Sequence, residues 1–317
     1  MNYKSQIIEI YKHKISEQDI KFLGRGTDSD AFEVKNDIIR FPHNQTGVYF
    51  LESDVCNFIR KTITISIPNT KVISKNGMFY VIHKKITGDN WSWHKFSLNK
   101  QKQDNLAKSI ALFLDQLHNK VDVKLLTKKI PATKKTIPFV PFNKVKNNFS
   151  VFCTKHQITF LEKQFNKILS VHTNTNDLVL NHMGVKCANS CVDKNGNLIG
   201  VFDFCNCGIY ERYRDFGPLY QSRNNKLFNL VIKYYSELSG IKINKKRIAD
   251  LVAIGILWRK RWNNNFTKCT LGGGNPKNLK SEIMNSLGYF YKMPRFLYKL
   301  IYLQLSIHEY LYNKKYN

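Results

Sequence analysis

Acidic residues are scarce: 23 Asp and Glu stand against 50 Lys and Arg in 317 residues, a formal net charge of +27 with a pI near 9.7. A field of that sign repels polycations and draws in polyanions such as nucleic acid, anionic lipid or nucleotides. The abundance of Lys, Asn, Ile and Tyr together has the look of an AT-rich coding sequence. That drift accounts for part of the lysine excess but not for the missing carboxylates. No run of eighteen or more apolar residues occurs, which excludes a membrane-spanning helix of ordinary kind. The opening MNYKSQIIEIYKHKISEQD lacks the apolar core of a secretory signal, so a cytoplasmic location is expected. Seven cysteines, an odd number without an export signal, argue for free thiols over a disulfide framework. No internal repeat is visible.

What is present fits a water-soluble chain of two domains or lobes, 43% hydrophobic with mean hydropathy −0.37. IKFLGRG, DAFEVKN and DIIRFPH are strand-length segments bounded by turn residues. TKVISKNGMFYVIHK reads as a hairpin turning at Asn76-Gly77. Between them GVYFLESDVCNFIRK has helical spacing, with Phe50, Leu51, Val55, Phe58 and Ile59 on one side. The expectation is a small N-terminal antiparallel sheet plus one helix.

Beyond ITGDNW the character becomes helical. In LNKQKQDNLAKSIALFLDQLHN, Leu106, Ile110, Phe113, Leu114 and Leu117 fall on one stripe. Residues 120–146 are basic and broken by proline, which fits a solvated linker or an anion-contact surface. ITFLEKQFNKILSVH is a further amphipathic helix. The tail mixes aromatics with Lys and Arg in KKRIADLVAIGILWRKRW and RFLYKLIYLQLSIHEYL, a pattern open to helix packing or to a membrane or nucleic-acid face. Cys187, Cys191, Cys205 and Cys207 cluster in sequence and admit either a zinc site or ordinary buried thiols; a strand position for Cys191 speaks against the first.

Phosphoryl transfer needs a backbone cradle for phosphates, a fixed cation, oxygen ligands for a metal, and a group orienting the acceptor. FLGRGTDSDAFEV carries Gly24 and Gly26 in a strand-to-strand turn, where main-chain N–H groups could approach a triphosphate. Arg40 stands on a strand and Glu52 on the following helix, a spacing that fits an ion pair across the sheet or two unrelated surface charges. Further on come His182, Lys186 and Asn189, and fourteen residues later Asp203. A neutral and an anionic oxygen suit magnesium, and a strand–turn–strand arrangement would bring both to one edge.

These segments resemble the aminoglycoside phosphotransferase family within the protein kinase-like superfamily. The resemblance runs over about residues 18 to 262 and is best in LVLNHMGVKCANSCVDKNGNLIGVFDFCNCGIYERYRDFG, similar to the family's H-G-D-x-x-x-x-N loop, D-x-G metal motif and D-R-Y-x-D segment. It implies an α+β bilobal kinase-like fold: a nucleotide-binding lobe over 1–83, a hinge over 84–90, and a mainly helical lobe over 91–317. That larger lobe would hold the catalytic-loop hairpin 181–205 and an extra helical extension from about 263. It implies ATP or GTP with magnesium as cofactors, and Gly24, Gly26, Thr27, Arg40, Glu52 and Ile82 as nucleotide-binding positions. Residues Ile82 to Lys85 would pass beside the base. Asn189 and Asp203 would bind the metal, Lys186 would stand near the transferred phosphoryl group, and Asp215 would brace the turn that starts at His182.

Two departures stand out. The position of the general base is Gly184, and no Asp or Glu occurs from Leu178 to Val192. The glycine of the metal motif is Cys205. General-base assistance supplies ~10²–10⁴-fold, so its loss slows a kinase without abolishing electrostatic stabilisation. One expectation is an impaired or altered phosphotransferase acting on a small-molecule hydroxyl, with a neutral or anionic acceptor preferred over a polycationic drug. The alternative is an inactive pseudokinase, a nucleotide-responsive binding module for a polyanion or protein partner. Transfer of a nucleotidyl group is a third possibility.

Overall fold

The computed structural model describes residues 3–26, 28–43, 47–75, 77–91, 99–133, 142–143, 154–171, 174–222 and 224–257. The chain divides into two units, residues 1–135 with 176–243, and residues 136–175 with 244–317.

The first unit carries a five-stranded antiparallel sheet of β1 (Ile20–Arg25), β2 (Ser29–Val34), β3 (Asp37–Pro42), β4 (Lys71–Lys75) and β5 (Met78–Lys84), ordered β1-β2-β3-β5-β4. All are the segments the alternating pattern predicts. Alternation sends Phe32, Val34, Ile39, Phe41 and Tyr80 to one face, where they form a cluster with Ile7. Helix α1 (Tyr3–Ile10) covers that face, and the Tyr3 ring stacks on Phe41 with centroids 4.6 Å apart. Burying Ile7 completely contributes about 1.5–3 kcal/mol. Because Ile39 and Phe41 point to α1, Arg40 between them points to the opposite face, where Tyr49, Val81 and Cys205 pack together.

Helix α2 (Gly47–Ile59) buries Tyr49, Leu51, Glu52, Val55, Cys56 and Ile59. This differs from the apolar stripe read from the sequence. Phe50 is 48% exposed and meets the Phe79 ring edge-on, while the charged Glu52 takes a core place. Helix α3 (Lys100–Asp115) starts where the Asn99 side chain accepts from Lys102 N at 2.9 Å, and it buries its predicted stripe completely. Its end widens into a π-turn, Gln116–Lys120, a rare geometry that tends to occur at working sites.

Residues 123–129, expected to be irregular, form helix α4 (Val123–Lys129), because Asp122 caps it by accepting from Leu125 N at 2.9 Å. The rest of the basic stretch from residue 134 lies outside the described residues, apart from 142–143. Two short antiparallel pairs complete the site region. β6 (Leu178–Asn181) pairs with β9 (Gly208–Glu211), and β7 (Ser190–Val192) pairs with β8 (Leu198–Val201). Helices α6 (Gly217–Gln221) and α7 (Asn225–Ser239) follow. Gly240, at φ 70°, closes α7 in the left-handed conformation that glycine adopts without strain. Helix α7 lies along α3, and Tyr234 Oη donates to Asp104 at 2.5 Å.

In the second unit, α5 (Lys155–Leu169) and α8 (Lys245–Leu257) are joined by Arg247, whose Nη1 donates to Ile168 O at 2.9 Å. The helices expected beyond residue 257 lie outside the described residues. Among the described residues no helix is long and apolar enough to cross a membrane.

Candidate nucleotide and metal site

The turn between β1 and β2 is built on its glycines. Gly24 sits at φ 153° next to a register shift between Phe22 and Gly24. A Cβ there would meet nothing within 4 Å, so the conformation and not crowding calls for glycine. Gly26 N donates to Ser29 O at 2.8 Å. Thr27 lies outside the described residues.

Arg40 and Glu52 do form an ion pair: Arg40 Nη2 donates to Glu52 Oε2. Glu52 is wholly buried and also accepts from Phe204 N at 3.3 Å and from the Cys205 thiol at 3.4 Å. One carboxylate thus ties the small sheet to the segment just after Asp203. Burial works against the Arg40 charge, but the Glu52 carboxylate outweighs it and the Arg40 pKa is raised. The guanidinium carbon lies 5.2 Å over the Tyr49 ring, and the buried Arg40 Nε has no hydrogen-bond partner. A buried orphan donor on a cation is a place where an anionic ligand atom would be held.

Past β5, Lys85 N donates to Asn36 O at 2.8 Å, and Asp89 exchanges two backbone hydrogen bonds with Val192 at 2.9 and 3.0 Å. The crossover from sheet to helical part is thereby pinned on β7. Ile82 lies inside β5, paired with Ile39 and Lys71 and leaning on the sheet core.

The 182–189 turn leaves the end of β6. His182 is buried; its Nδ1 accepts from Gly184 N at 3.1 Å, which leaves the ring proton on Nε2 to be donated to Phe202 O at 3.2 Å. Burial lowers its pKa, against the pull of Asp215 and Asp203. With both nitrogens engaged and the ring edge-on to Phe204 at 4.4 Å, His182 is a pillar of the turn. From below, Asp215 accepts from His182 N at 2.9 Å and Met183 N at 2.5 Å. Met183 holds φ 68°, a left-handed conformation that costs a side-chain-bearing residue about 1–2 kcal/mol. Gly184, the next residue, has no such φ. The glycine stands one position away from where the backbone would use it.

Asn189 closes the turn by donating Nδ2 to Gly184 O at 3.1 Å, which commits the amide nitrogen and leaves Oδ1 available. Its carbonyl accepts from Phe202 N at 2.9 Å, so Asn189 sits beside the start of the Asp203 segment. Asp203 itself has φ 71°. Burial pushes its carboxyl pKa up, the Glu52 charge adds to that, and His182, Arg40 and Lys186 offset it in part. Lys186 is exposed on the turn. A hard divalent cation fits this donor set: an amide oxygen with its nitrogen tied back, and a carboxylate short of positive charge. Among the described residues no group of three or more His, Cys, Asp or Glu side chains could hold a metal, so the four clustered cysteines supply no alternative.

No protein-family model matches the chain. Solved structures do. Aminoglycoside phosphotransferase APH(2'')-Ib in its ADP-bound form superposes with a TM-score of 0.63 at 20% identity, covering 89% of this chain and 98% of that one. The GDP complex of aminoglycoside 2'-phosphotransferase-IIIa gives a TM-score of 0.69 at 15% identity, covering 92% and 100%. The fold is that of the antibiotic phosphotransferases. Macrolide 2'-phosphotransferase MphH from Brachybacterium faecium shares it too, at 12% identity, a TM-score of 0.58 and 89% and 98% coverage. The antibiotic-phosphotransferase fold is kinase-like and α+β, as the resemblance implies, and it extends over more of the chain than the sequence motifs do.

The structure brings Arg40, Glu52, His182 and Lys186 within electrostatic reach of Asp203. Asn189 joins them through the backbone. Sequence reasoning missed the Cys205 thiol on Glu52, and it missed Tyr49 beneath Arg40. The adjacency of Cys205 to Asp203 was the available signal.

Proposed function

We propose that the chain is an aminoglycoside-phosphotransferase-like kinase that binds ATP or GTP with magnesium and transfers phosphate, slowly, to the hydroxyl of a small molecule. The observation that carries this is the continuity of the retained half of the site. Gly184 O holds Asn189, Asn189 O holds the Asp203 segment, and the backbone after Asp203 holds Glu52, which holds Arg40. The ADP and GDP named for the solved structures of this fold support a nucleotide as ligand.

Asn189 Oδ1 and Asp203 would hold the magnesium, which would supply positive charge to offset that of the phosphates. Arg40, kept protonated by Glu52, donates to a phosphate oxygen through its free Nε. Lys186 stabilises charge on the group in flight. At position 184 no side chain takes the acceptor's proton, so the acceptor or a water supplies that function and the chemical step is slow. A neutral or anionic acceptor suits the +27 chain better than a polycationic antibiotic.

A second reading is favoured by the same turn: a pseudokinase that binds nucleotide and signals it to a polyanion or protein partner. The experiment that tests the first reading uses the full chain with nucleotide labelled at the α or γ phosphorus. Label moving from γ to an acceptor or to water supports the kinase, α-label moving supports nucleotidyl transfer, and binding without movement of either leaves the pseudokinase.

A further inference from the structure

Asp215 does not hold the 182–189 turn unaided. His118 Nε2 lies 3.1 Å from Asp215 Oδ2, and because a carboxylate only accepts, that nitrogen carries a proton. His118 Nδ1 lies 3.1 Å from Tyr235 Oη. The same tyrosine oxygen accepts from Arg212 Nη1 at 2.8 Å, which turns its own proton toward His118. Arg212 is fixed at its far end by Asp177 Oδ1 at 2.8 Å, Asn176 O at 2.6 Å and Asn119 Oδ1 at 3.0 Å. The donors therefore run one way: Arg212 to Tyr235, Tyr235 to His118, His118 to Asp215.

His118 sits in the π-turn that ends α3, Tyr235 on α7, and Arg212 just after β9, so three separate elements converge on one carboxylate. Arg212, Asp215 and His118 are 3%, 0% and 3% exposed and Tyr235 is 0%. Apolar side chains of similar volume would fill this space at no greater energetic cost, so stability alone does not explain a polar chain here. What the chain ends on does. The two amides that donate to Asp215 are those of His182 and of Met183, whose left-handed backbone persists only if the surroundings over-determine it.

We propose that His118 and Tyr235 are positioning residues: the Arg212–Tyr235–His118 relay fixes Asp215 under the turn and so sets the Gly184 carbonyl that aims Asn189 at the metal. The inference deepens the nucleotide and magnesium reading above and rests on it for its second measurement only.

The test uses Tyr235→Phe, which removes one oxygen and no carbon, with Asp177→Asn at the outer end as a second variant should the first fold poorly. Amide hydrogen exchange in residues 178–189 is measured first. The relay predicts exchange faster by roughly five- to tenfold there, the worth of one hydrogen bond in a buried chain, with the β1–β5 sheet unchanged. Equal acceleration everywhere, or none in the turn, overturns the proposal. ATP titrations with and without magnesium come second. The variant loses a similar factor of magnesium-dependent affinity and keeps its magnesium-free affinity; parallel loss of both overturns the proposal. If the unaltered chain shows no magnesium dependence, the functional reading fails and the exchange result alone decides the relay.

Discussion

Restoring a carboxylate at the turn, Gly184→Asp, bears most directly on why the site is slow. The backbone at 184 needs no glycine, so an aspartate is admitted without backbone strain. The obstacle is local: a Cβ would stand 3.0 Å from Asn189 Nδ2, with the His182 ring at a comfortable 3.6 Å. The amide must give by a few tenths of an ångström while keeping its bond to Gly184 O, which costs about 1–1.5 kcal/mol. A general base contributes at least ~10²-fold, or about 2.7 kcal/mol. The difference leaves an increase of about tenfold in turnover. Met183→Gly added to it frees the left-handed position from strain of about 1–2 kcal/mol and lets the turn shift, so the double variant turns over faster still. The assay follows release of the γ-phosphate from magnesium ATP or GTP, with water as the acceptor of last resort. No increase in either variant, with nucleotide affinity intact, would refute the idea that a missing base limits the reaction.

The remaining predictions concern the ion pair and the metal ligand. Glu52→Gln leaves Arg40 buried against a neutral amide, so the chain loses about 3 kcal/mol of stability, measured by urea denaturation; a change under about 1 kcal/mol would mean the pair is solvated. Asp203 has its pKa raised by burial and by Glu52, so in the metal-free protein its contribution to stability is present below the ordinary value of 3.8 and lost as pH rises through the raised one. Magnesium binding takes the ionised form and reverses that preference. Magnesium-dependent nucleotide affinity should therefore fall about tenfold per pH unit below the raised pKa and level off above it, with the slope absent in Asp203→Asn. Titration calorimetry from acid to neutral pH reads this, and a slope unchanged by Asp203→Asn would assign it to another group.

The small sheet and the long helix were legible in the sequence because their apolar periods of two and of 3.6 survive intact. The same counting went astray on α2: a count of apolar positions chose Phe50 and passed over Glu52, which is buried with its charge matched by Arg40 on β3. Gly184 and the order Asn189 to Asp203 were readable as spacing. The relay was not. The partners of His118, Asp215 and Tyr235, are 97 and 117 residues away and nothing local marks them. Strand β9 was hidden too: GIYE is short, and only its pairing with β6 makes it a strand.

The most direct measurement is the melting temperature of the full chain with ATP or GTP, each with and without magnesium, alongside Asp203→Ala. At ligand about 100 times its dissociation constant the stabilisation is about 2.7 kcal/mol. The account predicts a rise with nucleotide that grows when magnesium is added and loses the magnesium increment in the variant. A chain whose melting temperature ignores nucleotide, or whose magnesium increment survives loss of Asp203, contradicts it.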